Sequence, residues 1–277
     1  MRVLVRIFGA LLLVALIVVV GSLFYLDRIV AGVIERGGTY ALGVDTELRS
    51  VQIRPIRGTF GFSGLAVSNP PGFKQKHFLR LERAKTQLRL SALREDPVKI
   101  SSFELSGIAV SLERNKGRTN YALILDNLSR FESKPDPSEE GGGPGVAIEE
   151  LLIRDIKAQA QLVPHGGKLT MVEVEVPEMR LRNIGSGSPA GVSSAEFVSI
   201  VTRAILQAVL ARSDKLPSAL VSDLAARLKK VGRVRVDFGS SFSDRSGKVG
   251  QQLKDAAGEA GDLLKGLGKR LRGWKDR

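Results

Sequence analysis

Twenty uncharged residues in a row, from Ile7 to Leu26, constrain this chain more than any other feature. A helix rises ~1.5 Å per residue, so such a run spans about 30 Å, the thickness of a bilayer's hydrocarbon core. It is long enough to cross as a single transmembrane helix. A secretory signal cut after Ala31 is the rival reading, with Arg2 and Arg6 as its basic start. Such signals carry only roughly 7 to 15 apolar residues, and no small-x-small cleavage pattern follows here. The residues therefore favour an uncleaved signal-anchor. Arg2, Arg6 and the terminal amine slightly outweigh Arg28 and Arg36, which leaves the amino end in the cytoplasm and the bulk of the chain outside.

Composition narrows the chemistry. Cysteine is absent, which removes disulfides, thiolate nucleophiles and sulfur-ligated metals. The net charge of +13 suits an acidic partner, either anionic lipid headgroups or nucleic acid. Nucleic-acid binding would want aromatics interleaved with basic residues, and the aromatics fall mainly on apolar strand faces or in the anchor. The expected partner is a phospholipid or an anionic membrane surface.

The chain divides by its periodicity. Residues 1–43 read as anchor plus juxtamembrane helix, with Ile29, Val30, Val33 and Ile34 in a helical pattern that stops at Gly37-Gly38. From Val44 the period becomes two. Leu48, Val51 and Ile53, then Phe60, Phe62, Leu65 and Val67, read as strands, closed by the turn Asn69-Pro70-Pro71-Gly72. Leu79, Leu81, Ala84, Thr86, Leu88 and Leu90 alternate with polar residues, as a strand pair with one dry face would.

A repeat follows. Val98, Ile100, Phe103, Leu105, Ile108, Val110 and Leu112 align forty-eight positions on with Val146, Ile148, Leu151, Ile153, Ile156, Ala158 and Ala160. In both copies the apolar parity flips after the second and the fourth member. A flip needs an unpaired extra residue or a tight turn: Ser101-Ser102 and Glu149-Glu150 suit a bulge, Gly107 and Asp155 suit a turn. Two unrelated hairpins could share alternation, but a shared parity break is a stronger coincidence. Between the copies, Arg118-Thr119-Asn120 leads into a short apolar helix from Tyr121 to Leu128, and residues 132–145, rich in Pro and Gly, read as a flexible loop. Leu169, Met171, Val174, Val176, Met179, Leu181 and Ile184 complete a sheet region over residues 44–192.

Residues 193–238 read as a helical pair plus a final strand. Ser193 and Glu196 have capping-box spacing before the face Phe197, Ile200, Val201, Ala204, Ile205 and Ala208. A second helix starts near Pro217 and stops at Gly232, and Val234, Val236 and Phe238 suggest a strand. Residues 239–277 form a basic amphipathic tail. Leu253, Leu263, Leu264, Leu267, Leu271 and Trp274 recur on one face, bordered by Lys265, Lys269 and Arg270. Gly258, Gly261, Gly266, Gly268 and Gly273 cost about 1 kcal/mol each in a helix, so folding is expected on a membrane surface rather than in water; a disordered basic tail is the alternative.

Catalytic signals are poor, and neither an enzyme activity nor a cofactor nor a metal site is expected. His77 and His165 are far apart and next to loop residues, which suits solvated side chains. The run from Gly185 to Gly191 lacks dinucleotide spacing and reads as a hinge loop. Glu149 and Glu150 are adjacent, so on a strand they face opposite ways.

The order of elements resembles the AsmA family of bacterial envelope proteins: an amino-terminal anchor, Leu48 to Ile53, Gly64-Leu65-Ala66-Val67-Ser68-Asn69-Pro70-Pro71-Gly72-Phe73, Val98 to Leu112, and Arg118-Thr119-Asn120 entering a helix. The likeness covers residues 1–128 well and 146–184 more loosely. It implies an α+β protein, a single transmembrane helix followed by a curved antiparallel β-sheet forming a groove, with carboxyl-terminal helices. It also implies a single-pass inner-membrane protein with its bulk in the periplasm, holding, guiding or transporting phospholipid for outer-membrane and envelope upkeep. The groove lining would be Val98, Ile100, Phe103, Leu105, Ile108, Val110 and Leu112 with Val146, Ile148, Leu151, Ile153 and Ile156. The alternative is a non-enzymatic envelope scaffold, its sheet face sealed by the residues from Phe197 to Ala208, that docks a partner protein or membrane through its basic surface.

Overall fold

The computed structural model describes residues 27–54, 57–88, 91–92, 95–132, 145–162, 170–212, 214, 216–232 and 234–236. The apolar run at 7–26, the loop at 133–144 and the tail at 239–277 lie outside the described residues. Among the described residues no helix is long and apolar enough to cross a membrane.

A helix over residues 27–42 (α1) leads into β1 (Thr46–Arg54), β2 (Thr59–Ser68), β3 (His77–Gln87) and β4 (Val98–Asn115). The two-residue β5 (Arg118–Thr119), α2 (Asn120–Leu128) and a 3-10 turn (Ser129–Glu132) follow, then β6 (Val146–Leu162), β7 (Thr170–Ile184), α3 (Ser194–Leu210) and α4 (Ser218–Lys230). The strands form one sheet in the order β1-β2-β3-β4-β6-β7, with β5 paired to β4.

Two expectations are corrected here. The sheet is mixed rather than antiparallel, because β4 and β6 run parallel. The connection through β5 and α2 carries the chain back to the end where β4 began, and a crossover of that kind returns the next strand in the same direction. Nor does the sheet curl into a groove: β1 and β7 are separate edges. Its apolar face needs no curvature to be buried, because all four helices pack against it in one hydrophobic cluster. The segments read as hairpins are also single strands, His77–Gln87 and the 18-residue Val98–Asn115.

The forty-eight-residue repeat is the register of the parallel pair. Val98 faces Val146, Phe103 faces Leu151, Ile108 faces Ile156 and Leu112 faces Ala160. The later parity flip, after the fourth member of each copy, has a common physical cause. Gly107 has φ 72° and Asp155 φ 56°, and one residue at positive φ inside a strand swaps the faces of everything beyond it. Both belong to a crease that crosses the whole sheet. In each of the six long strands two successive residues point away from the core at that level: Arg49-Ser50, Ser63-Gly64, Glu82-Arg83, Ser106-Gly107, Arg154-Asp155 and Pro177-Glu178. A cross-strand neighbour that did not flip would turn its apolar residues to water, so the strands must flip together.

Gly37 and Gly38 do not end α1, which continues to residue 42. They permit close approach. A Cβ at Gly38 would lie 2.7 Å from Thr46 Cγ2, and one at Gly37 would collide with the Ser194 side chain. Thus α1 fits between the start of α3 and the β1 edge, where Leu48 N–H donates to Glu35 Oε1 at 2.8 Å and Thr46 N–H to Thr39 Oγ1 at 3.0 Å. Asn127 Nδ2 caps the end of α1 by donating to Leu42 O at 2.8 Å. Gly38→Leu should therefore split α1 from the sheet and lower the unfolding free energy by about 1 to 3 kcal/mol, the usual range for overpacking. Urea unfolding checks it.

The capping box of α3 forms as expected, with Glu196 N–H donating to Ser193 Oγ at 3.2 Å and Ser193 N–H to Glu196 Oε2 at 3.0 Å. The other sheet edge, β7, has no strand on its outer side among the described residues; exposed Glu173, Glu175, Pro177 and Arg182 make it a poor template for further pairing. Val234 and Val236, expected in a strand, pack against the core without joining the sheet.

Candidate functional site

The residues read as a groove lining come together on one face. Leu48, Leu65, Leu81, Ile108, Ile156 and Val176 form a continuous apolar row across six strands. Val98, Ile100, Phe103, Leu105, Ile108, Val110, Leu112, Ile148, Leu151, Ile153 and Ile156 are all buried, and Val146 is half-buried. The cover over this face is helical. Phe197 of α3 brings its ring centroid to 5.9 Å from Phe103, which in turn makes an edge contact with Phe62 at 6.3 Å. Tyr121, Ile124, Leu125 and Leu128 from α2, Ala204, Ile205 and Ala208 from α3, and Leu220, Leu224 and Leu228 from α4 complete the same cluster. Leu81, Ile108, Ile156 and Val176 of the row are buried under this cover, and Leu48 and Leu65 at its β1–β2 end are half-buried. The tail residues Leu253, Leu263, Leu264, Leu267, Leu271 and Trp274, with Lys265, Lys269 and Arg270, lie outside the described residues.

A polar knot fastens one end of this cover, and it uses the turn residues that the sequence singled out. Asn120, fully buried, accepts at Oδ1 from Glu113 N–H at 2.9 Å and Tyr121 N–H at 2.8 Å. Its Nδ2 donates to Asn69 Oδ1 at 2.9 Å and to Ser111 O at 2.7 Å. Asn69 Nδ2 donates to Glu113 Oε1 at 2.7 Å, and the Lys74 and Gln75 N–H groups donate to the same carboxylate at 2.9 Å each. Glu113 is only 4% exposed. Sequence reasoning missed it, because alternation places it on the wet face, and its partners lie about forty residues away. The one legible hint is a proline-rich loop whose backbone donors need an acceptor.

A second latch joins α2 to α4. Tyr121 Oη donates to Asp223 Oδ2 at 2.8 Å, Arg227 Nε donates to Asp223 Oδ1 at 3.1 Å, and Arg227 Nη1 lies 3.5 Å from Asp126 Oδ1. Burial, and then the hydrogen bond to Asp223, push the Tyr121 phenol well above its ordinary value. A raised folded-state pKa means that this stabilisation is complete below pH ~10, the unfolded value, and is lost as the pH climbs toward the folded value. Tyr121→Phe should lower stability at neutral pH by about 1 to 2 kcal/mol and flatten its fall above pH ~10. Chemical unfolding at pH 7 and at alkaline pH checks both.

The opposite face of the sheet is polar. Lys85, Glu104, Arg154, Glu178 and Arg180 form a surface chain of ion pairs at 2.8 to 3.8 Å. Depressions of two sizes open on the surface of the described residues. The larger, about 1400 Å³, has Arg54, Arg57, Arg83, Lys85 and Lys99 balanced by Glu82, Glu95, Glu104 and Glu149. The smaller, about 400 Å³, is lined by Gln75, Lys76, His77, Arg80, Ala109, Val110, Ser111, Lys157 and Gln159. His77 is not the solvated side chain the sequence suggested: it is half-buried, and its Nδ1 is buried without a hydrogen-bond partner among the described residues. Burial first, then Lys76 and Arg80, lower its pKa, with Glu47 opposing them. His165 lies outside the described residues. The loop from Gly185 to Gly191 is no free hinge, since the residue after it, Val192, exchanges two backbone hydrogen bonds of 2.9 Å with Val146.

These features define an α+β protein with a mixed sheet, one face packed under helices and the other carrying charge. The chain belongs to the AsmA family: the family's model matches residues 2–163, over half the chain, from the apolar run to the end of β6. That family is associated with the bacterial envelope. A comparison with curated proteins finds no match.

Proposed function

We propose that this protein is a non-enzymatic scaffold of the bacterial envelope, tethered in the inner membrane by the single pass at residues 7–26, with its bulk in the periplasm. Its closed body docks a partner protein or the anionic membrane surface through basic residues and so supports envelope upkeep. The observation that carries this reading is the sealed face: the residues a lipid groove would offer are packed under α2, α3 and α4. Support for membrane contact comes from the net charge of +13 and the basic amphipathic tail.

A second reading is kept because the apolar row runs unbroken across six strands and one attachment of α4 to α2 is the partly exposed Arg227–Asp126 ion pair. In it, α3 and α4 swing away and the face holds or guides phospholipid. Native mass spectrometry of the detergent-extracted protein separates the two. A scaffold should carry the same lipid, or none, whether or not α3 is disulfide-locked to β6; one retained phospholipid per chain that is lost in the locked variant would establish the lipid-holding reading instead.

A further inference from the structure

We propose that the smaller depression is a binding site for a phosphate oxyanion. It lies on the face of the sheet opposite the sealed core, so it stands or falls separately from the scaffold reading. The strand pattern builds it. Arg80, Ala109 and Lys157 are cross-strand neighbours in one row, and Ser111 and Gln159 are neighbours in the next. Adjacent strands are ~4.8 Å apart, so Arg80 and Lys157 start about 10 Å apart with only the methyl group of Ala109 between them. Two long cationic side chains thus flank a gap floored by small residues, which is space for one tetrahedral anion. Lys76 and His77 close it from the β2–β3 turn.

Electrostatics and unmet hydrogen bonding point the same way. Among the described residues no carboxylate lines the depression, whereas the larger one has nearly as many acids as bases. The acids around it are engaged elsewhere or lie at its rim: Glu113 is held by Asn69, Lys74 and Gln75, Glu175 lies 3.4 Å from Lys157, Glu173 accepts from Gln159 Nε2 at 3.1 Å, and Glu47 acts on His77. Lys157 and Glu175 are both more than half exposed, so their pairing is weak and readily exchanged for a second anion. Among the described residues the buried Nδ1 of His77, which lines the depression, has no hydrogen-bond partner, and Arg80 offers an oxyanion a two-pronged donor and Lys157 a point charge.

The ligand is a phosphate group, supplied either as a free ion or as a phospholipid headgroup. Titration calorimetry on the full chain in uncharged detergent, at low salt, tests this with two probes, inorganic phosphate and a short-chain phosphatidylglycerol. One-to-one saturable binding of at least one probe is expected. Binding of phosphate alone assigns the free ion, and binding of the lipid alone, or much more tightly, assigns the headgroup. Arg80→Gln and Lys157→Gln should each weaken binding about tenfold, the usual effect of losing one charged hydrogen bond. Lys85→Gln, which alters the same face outside the depression, should leave it unchanged. All three positions are solvent-exposed, and circular dichroism verifies that the variants fold. Absence of saturable binding by both probes, equal weakening in Lys85→Gln, or full retention in the Arg80→Gln, Lys157→Gln double variant overturns the site.

Discussion

Ile156→Asp is expected to yield no folded protein. Ile156 is 1% exposed and sits in the middle of the sheet, between Ile108 on β4 and Val176 on β7. Replacing it removes an aliphatic side chain, worth about 2 to 5 kcal/mol by analogy with truncation to alanine. It also places a carboxylate where no cation or donor is at hand, which adds several kcal/mol or forces the group to stay protonated. The total is of the order of the ~5 to 15 kcal/mol by which domains are stable at all. Aggregation on extraction, or loss of near-ultraviolet circular dichroism, is the expected outcome. Ile156→Val, costing about 0.5 to 1.5 kcal/mol, should fold. This experiment also discriminates between functions, since an open lipid trough would tolerate a charge on its wall. A soluble, cooperatively folding Ile156→Asp protein would show that the face is accessible and would remove the basis of the scaffold reading.

Asn120→Ala should cost about 3 to 5 kcal/mol, although alanine fits the helix start sterically. The carboxamide satisfies the Glu113 and Tyr121 N–H groups, the Ser111 carbonyl and Asn69 Oδ1 at once. Each buried group left without its partner costs about 1 to 3 kcal/mol, and relaxation or entering water recovers part of that. Glu113→Gln should be milder, because an amide keeps the shape but presents only one accepting oxygen to the three donors at Asn69, Lys74 and Gln75. Urea denaturation of the two variants orders them. Equal and small losses would mean that water replaces the knot and that the turn residues serve something other than fastening the β2–β3 loop to α2.

Helix starts and strand positions were legible because they are local. The capping box at Ser193 and Glu196 needs four residues, and alternation needs six or seven. The seven aligned pairs of the repeat were legible too, and they turn out to be cross-strand partners. Neighbouring strands share a core face, so a parity break in one is forced on the next at the same level. Two sequences can thus look duplicated simply by lying side by side.

Other features could not be read locally. Gly37-Gly38 has the composition of a helix stop, and only the closeness of Thr46 and Ser194 shows why the helix needs glycines while it continues. Glu113 looks like any solvent-facing acid until the turn after Asn69 folds over it. The depression at Arg80 and Lys157 was invisible because its two cations come from strands separated by about 75 residues of sequence and brought to one row by the parallel register.

By itself, then, the sequence determined the apolar run, which residues share a face, where the faces flip, and where α2, α3 and α4 begin, since each follows from periodicity or capping within a few residues. Tertiary structure alone decided that β6 runs parallel to β4 and that the face is closed. Alternation reads the same in either strand direction, so it is blind to orientation. An apolar strand face and an apolar helix face each state only that something must cover them; that they cover one another is settled by packing, where the helices bury both surfaces together and leave the sheet no reason to curl.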